Sequence, residues 1–149
     1  MTIEFKYNDG GREASGRKGK TGDCVTRALA IATGRDYAEI YDRLAAGTAN
    51  QRKSKHNRLA GQRTARKGVY TTHKWFKDYM VELGFTWTPT MQIGQGCKVH
   101  VRRDELPSGR LVLNLSRHSA AVIDGVLHDT YDSSRGGTRC VYGYWRLAD

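Results

Sequence analysis

The feature that most constrains this chain is a two-residue turn signal near its end. Asp124-Gly125 separates the β-prone runs 118–123 and 126–132. A lone Asp-Gly between two such runs is the signature of a type I′ hairpin, whose central residues both take positive φ. The turn fixes the register: Ile123 faces Val126, and paired positions then sum to 249 throughout. Ala120 falls opposite Asp129 and His118 opposite Tyr131. Side chains alternate along a strand, so His118, Ala120 and Val122 share one face with Leu127, Asp129 and Tyr131. His118 and Asp129 become diagonal neighbours, roughly 7–8 Å apart at Cα, within reach of an imidazole–carboxylate hydrogen bond. His128 and Asp132 point the other way.

A second constraint lies a hundred residues upstream. In residues 22–34, Gly-Asp-Cys-Val-Thr-Arg-Ala-Leu-Ala-Ile-Ala-Thr-Gly, Asp23 is a favoured N-cap, Cys24 falls in the first turn and Gly34 supplies a left-handed stop. Val25, Ala28, Leu29 and Ala32 form one apolar face, predicting a helix with one side in the core. A thiol at a helix N-terminus feels unsatisfied N–H groups and the positive end of the dipole, which favour the thiolate.

The remainder is read around these two stretches. Phe5 and Tyr7 end a short strand before the turn-forming Asn8-Asp9-Gly10-Gly11. Asp36 with Glu39 makes a capping box for a second helix striped by Tyr37, Ile40, Tyr41 and Leu44. A third helix is expected from a Thr72 cap to a Gly84 stop, with Trp75, Phe76, Tyr79, Met80 and Leu83 as its core face. Residues 85–89 read as extended, a strand is expected around Lys98-Val99-His100-Val101, and Leu111-Val112-Leu113-Asn114-Leu115 is a buried strand by composition. Together these predict one α+β domain over residues 1–149, with N-terminal helices carrying Cys24 packed on a C-terminal antiparallel sheet carrying His118 and Asp129.

Charge is unevenly placed. The chain carries +10 overall, and residues 43–77 hold ten Lys or Arg and no Asp or Glu, against fifteen of each sign elsewhere. The segment 47–68 reads as exposed and basic. Its Arg52, Lys53, Lys55, Arg58, Arg63, Arg66 and Lys67 are candidates for contact with nucleic acid or another polyanion, chiefly through phosphates since the segment has no Phe, Tyr or Trp to stack on bases. Three cysteines, Cys24, Cys97 and Cys140, are too few and scattered for a disulfide framework, so reduced thiols are expected. His56, His73 and His100 lack partners at ligand spacing, so neither metal nor cofactor is expected. Arg135 and Arg139, near Asp132, are candidates for a local ion-pair network. No apolar run approaches the roughly 20 residues of a membrane span, and no signal peptide is legible; a cytoplasmic protein is expected.

Thiol, imidazole and carboxylate together are the parts of a nucleophilic triad: nucleophile, general base, and the acid that fixes the base's tautomer. A Cys opening an early helix, a His opening a late strand and an Asp on the next strand resemble the papain-like cysteine peptidase superfamily, particularly its compact bacterial and phage members. The similarity covers roughly residues 20–145. It implies Cys24 as nucleophile, His118 as base and later acid, Asp129 as orienting residue, and a protein or peptide substrate, acidic if the basic segment rims the site. Such enzymes commonly place a Gln a few residues before the Cys, where this chain has Lys18, Gly19, Lys20 and Thr21. The second oxyanion donor is therefore open among Asn114, Gln92, Gln95 and Asn8. In the neighbouring Nlp-type cell-wall peptidases the third member is often His, here His128, but the hairpin register favours Asp129. The expected activity is that of a cysteine hydrolase (peptidase, isopeptidase or amidase); the alternative is a non-catalytic scaffold of the same shape, possibly phage-encoded, binding nucleic acid or a host protein through its basic surface.

Overall fold

The computed structural model describes residues 2–14, 23–49, 71, 73–92 and 94–148. In chain order these form β1 (Glu4–Tyr7), α1 (Cys24–Thr33), α2 (Tyr37–Ala49), α3 (Lys74–Glu82), β2 (Phe85–Pro89), β3 (Arg110–Leu115), β4 (His118–Ile123), β5 (Val126–Asp129), a 3-10 turn (Arg135–Gly137) and β6 (Gly143–Leu147). The strands make one six-stranded sheet in the order β1-β5-β4-β3-β6-β2. Every pairing is antiparallel except that of β1 with β5, which is parallel. The expected α+β class is present, with a mostly rather than wholly antiparallel sheet.

The hairpin forms in the predicted register: Ile123 faces Val126, Val122 faces Leu127 and Ala121 faces His128. Asp124 and Gly125 both take positive φ, 48° and 79°, as a type I′ turn requires. The β4–β5 ladder stops at Ala121–His128: Asp129 pairs with Tyr7 of β1 instead of extending it opposite Ala120, Tyr131 lies beyond β5 and so does not pair with His118, and the strand is shorter than the run to residue 132 that composition predicts.

Apolar side chains cover both faces of the sheet. On one, Val112, Ala121, Phe85 and Trp145 pack with α1–α3; on the other, Leu111, Leu113, Leu115, Ala120, Val122 and Leu127 join Ile3, Val101 and Val141. Helix α1 lies between α2 and the sheet and is buried from Val25 to Ala32, all round rather than on the single face expected. Its alternating alanines permit that, because a side chain of one methyl lets backbone approach closely on every side.

Several local expectations change. Asp23 occupies the N-cap position of α1, but its carboxylate caps nothing and turns inward; Gly34 does end the helix, with φ 72° and its N–H on Ala30 O. Glu39 pairs with Arg35 at 3.0 Å. Helix α3 is preceded by His73 as N-cap, the Thr72 expected there lying outside the described residues. Helix α2 continues through a buried Thr48 to Ala49, so the start of the expected basic loop at 47 is helical. Lys98–Val101 forms no strand; His100 makes only an isolated bridge to Cys140.

Cys97 and Cys140 are disulfide-bonded, overturning the expectation of reduced, separate thiols. The β2–β6 pairing returns the two segments to each other, and Val101 N–H to Arg139 O and Val141 N–H to Val99 O align them. Cysteine count and spacing carry no information about that proximity. Arg139, a candidate for an ion-pair network near Asp132, instead donates to the carbonyls of Ser116 and Ser133, while Asp132 accepts from Ser134.

Candidate active site

Strands β4 and β5 run in opposite directions, so the first residue of β4 and the last of β5 meet at one end of the sheet. These are His118 and Asp129. Helix α1 packs along β4 and presents Cys24, its first residue, at the same end. The thiol, the imidazole and the carboxylate are thus each carried by the terminal residue of an element.

His118 Nε2 lies 2.6 Å from Asp129 Oδ2. The bond uses Nε2, and Cys24 lies close enough to His118 and to the Ser119 backbone for both to favour its thiolate. Both members of the imidazole–carboxylate pair are buried, with side chains 7% and 3% exposed, so the bond is little screened. Asp129 is satisfied on each oxygen: Ser133 Oγ donates to Oδ2 at 2.8 Å, and Thr130 N–H to Oδ1 at 2.7 Å. The exposed Tyr131 ring sits 5.4 Å from that of His118, covering it.

Electrostatics follow from this arrangement. Burial pushes the Cys24 thiol up, but the hydrogen bond and charge of His118, the Ser119 backbone and the Arg27 charge outweigh it, and the thiol lies below its ordinary value. Burial alone would lower His118; hydrogen bonds to Asp129 and Cys24 reverse this and raise it from 6.5 to about 9. Asp129, which burial would raise, is held below the usual carboxylate range by His118, Thr130 and Ser133. The three shifts all act in favour of the charge-separated state of thiolate, imidazolium and carboxylate.

The four oxyanion candidates fall in different places. Asn114 pairs with Ser119 in the β3–β4 ladder and so stands beside the residue whose backbone contacts Cys24. Asn8 follows β1; its backbone N–H bonds Asp129 O and its amide lies 3.4 Å from His128 Nδ1. Gln92 and Gln95 are exposed beyond β2, the edge strand three places from β4, and Gln95 is engaged by Lys98. His128 is held below its ordinary value by burial, Lys6 and Arg110, and takes no part in the Cys24–His118–Asp129 chain. Arg52, Lys53, Lys55, Arg58, Arg63, Arg66 and Lys67 lie outside the described residues, as do Lys18, Gly19, Lys20 and Thr21. Among the described residues no group of three His, Cys, Asp or Glu side chains is placed to hold a metal ion, and no helix is long and apolar enough to cross a membrane.

Sequence reasoning missed the layer behind Cys24, His118 and Asp129. Asp23, 1% exposed, takes Arg27 Nη1 at 2.5 Å, the Tyr37 hydroxyl at 2.6 Å and Arg12 at 3.3 Å. Arg27 Nη2 continues to Asp129 Oδ1 at 3.6 Å. The available signal was the i, i+4 spacing of Asp23 and Arg27 inside an otherwise apolar helix. Gly10 closes the layer: its φ is 69°, and a Cβ there would stand 2.9 Å from Arg27 O, so only glycine lets the 8–13 turn rest on α1. Comparison with protein-family models, with curated proteins and with solved structures finds no match for this chain.

Proposed function

We propose that this chain is a cysteine hydrolase acting on an amide or isopeptide bond through an acyl-enzyme, with Cys24, His118 and Asp129 as its triad, on a papain-like plan. The observation that carries the reading is the buried 2.6 Å bond of His118 to Asp129 at the end of the sheet where Cys24 lies, with the thiol shifted down by His118 and the imidazole up to about 9. A helix N-terminus can help a thiolate, but a buried imidazole bridging thiol and carboxylate is the arrangement that also supplies a proton where a leaving group needs it.

The Cys24 thiolate attacks the carbonyl carbon, forming the C–S bond as the carbonyl π electrons move to oxygen. The resulting oxyanion lies beside the first N–H groups of α1, which have no intrahelical acceptor. Asn114 is the side chain best placed in the ladder for a second donor. Collapse breaks the C–N bond, and the imidazolium gives its proton to the departing amine. Neutral His118 then takes a proton from water, whose oxygen attacks the thioester; the carboxylic product leaves and the thiolate and imidazolium return. Asp129 holds the ring by Nε2 throughout, so that Nδ1 always carries the transferred proton.

The test is the rate of iodoacetamide alkylation of Cys24 against pH, followed by mass spectrometry without reductant so that Cys97 and Cys140 stay bonded. Reaction at pH 6 at least about tenfold faster than that of an ordinary thiol near 8.5, abolished by His118→Ala, is the expected result. A Cys24 that ionises like a free thiol, or that is indifferent to His118, refutes the reading.

A further inference from the structure

Arg27 is a charged residue in a helix buried all round, 7% exposed, where packing alone would place an apolar side chain. Its guanidinium has two carboxylates to serve. Nη1 binds Asp23 at 2.5 Å, on its own helix stem, and Nη2 lies 3.6 Å from Asp129 on β5. Asp129 divides its oxygens accordingly: Oδ2 takes His118 and Ser133, while Oδ1 takes Thr130 N–H and faces Arg27. Arg27 also stands one helical turn from Cys24, so one rigid segment carries both the nucleophile and the cation that contacts the triad acid.

We propose that Arg27 is a positioning residue of the site, a buried cation that ties the nucleophile helix to β5 and holds the thiolate–imidazolium–carboxylate state together. The proposal rests on the cysteine-hydrolase reading. The charges facing one another across α1, β4, β5, α2 and the 8–13 turn are those of Asp23, Cys24, Arg27, His118, Asp129 and Arg12, with the Tyr37 hydroxyl neutral; His128 of β5 lines the same small cavity as Cys24, Arg27 and Asp129, and burial holds it below its ordinary value. In the ion-pair state they comprise three negative and three positive groups. Without Arg27, whether or not Asp23 is kept, the Cys24 thiolate and the Asp129 carboxylate share His118 as their adjacent cation, Arg12 lying on Asp23, and the favoured response of a buried surplus anion is to take up a proton. Cys24 is the group free to do so, and Arg27 contributes to keeping its thiol low. Tyr37 and Arg12 hold Asp23, so the anchor of Arg27 is itself fixed from α2 and from the N-terminal turn.

Arg27→Met alone leaves two buried carboxylates and endangers folding. The decisive variant is Asp23→Asn with Arg27→Met, which removes one charge of each sign; Arg27→Lys is its conservative partner. Each is alkylated with iodoacetamide from pH 5 to 10 beside wild type and His118→Ala, with circular dichroism confirming the fold. The double variant is expected to react about tenfold more slowly than wild type at pH 6 and within about twofold at pH 10, where the thiol is ionised regardless. Arg27→Lys, which keeps the charge, is expected to stay within about threefold of wild type at both. A double variant with the wild-type profile, or a lysine variant as slow as the double one, overturns the role of Arg27 while His118-dependent reactivity of wild type still stands. A wild-type thiol without that dependence overturns the hydrolase reading, and this inference with it.

Discussion

Replacing Asp129 by Asn tests the centre of the site without changing its shape. Asp129 bonds His118 at 2.6 Å with both side chains buried, and His118 is raised from 6.5 to about 9 although burial acts the other way. At about 1.36 kcal/mol per pH unit, the folded protein holds the protonated ring roughly 3 kcal/mol better than the unfolded chain does. Cys24 shares in that sum, so Asp129 accounts for about 2 kcal/mol of it. Because the folded-state value is raised, this stabilisation is complete below pH 6.5, fades as pH rises and is gone above about 9. The His118 Cε1–Hε1 resonance, titrated by NMR from pH 5 to 10.5, is expected to show a wild-type midpoint near 9. In Asp129→Asn the midpoint should fall by at least one pH unit, and urea unfolding at pH 6 should show a loss of about 2 kcal/mol or more, since Arg27 also loses its second carboxylate. A wild-type midpoint near 6.5, or one that Asp129→Asn leaves in place, refutes the coupling and the charge state drawn from it.

Two further outcomes probe the scaffold. Cys97 and Cys140 are 43 residues apart in sequence, and opening a loop of that size by Cys97→Ser with Cys140→Ser should cost about 3–4 kcal/mol in thermal or urea unfolding; the bond joins the far edge of the sheet, so Cys24 alkylation at pH 6 should be unchanged. Gly143, at the start of β6, has no room for a side chain: a Cβ there would run into the Trp87 ring and lie 3.1 Å from Thr88 O. Gly143→Ala should therefore cost about 1–3 kcal/mol by urea unfolding, and a neutral outcome would mean that Trp87 moves aside freely.

Legibility in the sequence follows how far each signal reaches along the chain. Asp124-Gly125 fixed a register because a two-residue turn leaves the strands no choice, and the pairing Ala121 with His128 follows by counting. The end of α1 at Gly34 was equally local. The parallel attachment of β1 to β5 and the Cys97–Cys140 bond were not legible, since each joins segments whose meeting depends on the finished sheet. Asp23 was misread for a related reason. A carboxylate before a helix ordinarily caps it, but here a buried guanidinium one turn on and a tyrosine hydroxyl from α2 offer charge-assisted bonds that the free N–H groups do not match.

The way in which His118 and Asp129 came out of the sequence exposes the limit of face-counting. Alternation puts them on the face of Ala120, Val122 and Leu127, and those three residues pack away from the helices, with Leu111 and Leu113. By that count the pair should be separated from α1 by the thickness of the sheet. They reach Cys24 and Arg27 because both sit at strand termini, where the sheet has no further residues to keep the two sides apart. Alternation therefore identified which imidazole meets which carboxylate, a relation within one hairpin, and it gave no account of how Cys24 joins them. That third partner is supplied by the helix end and by Arg27, whose side chain spans from α1 to the last residue of β5.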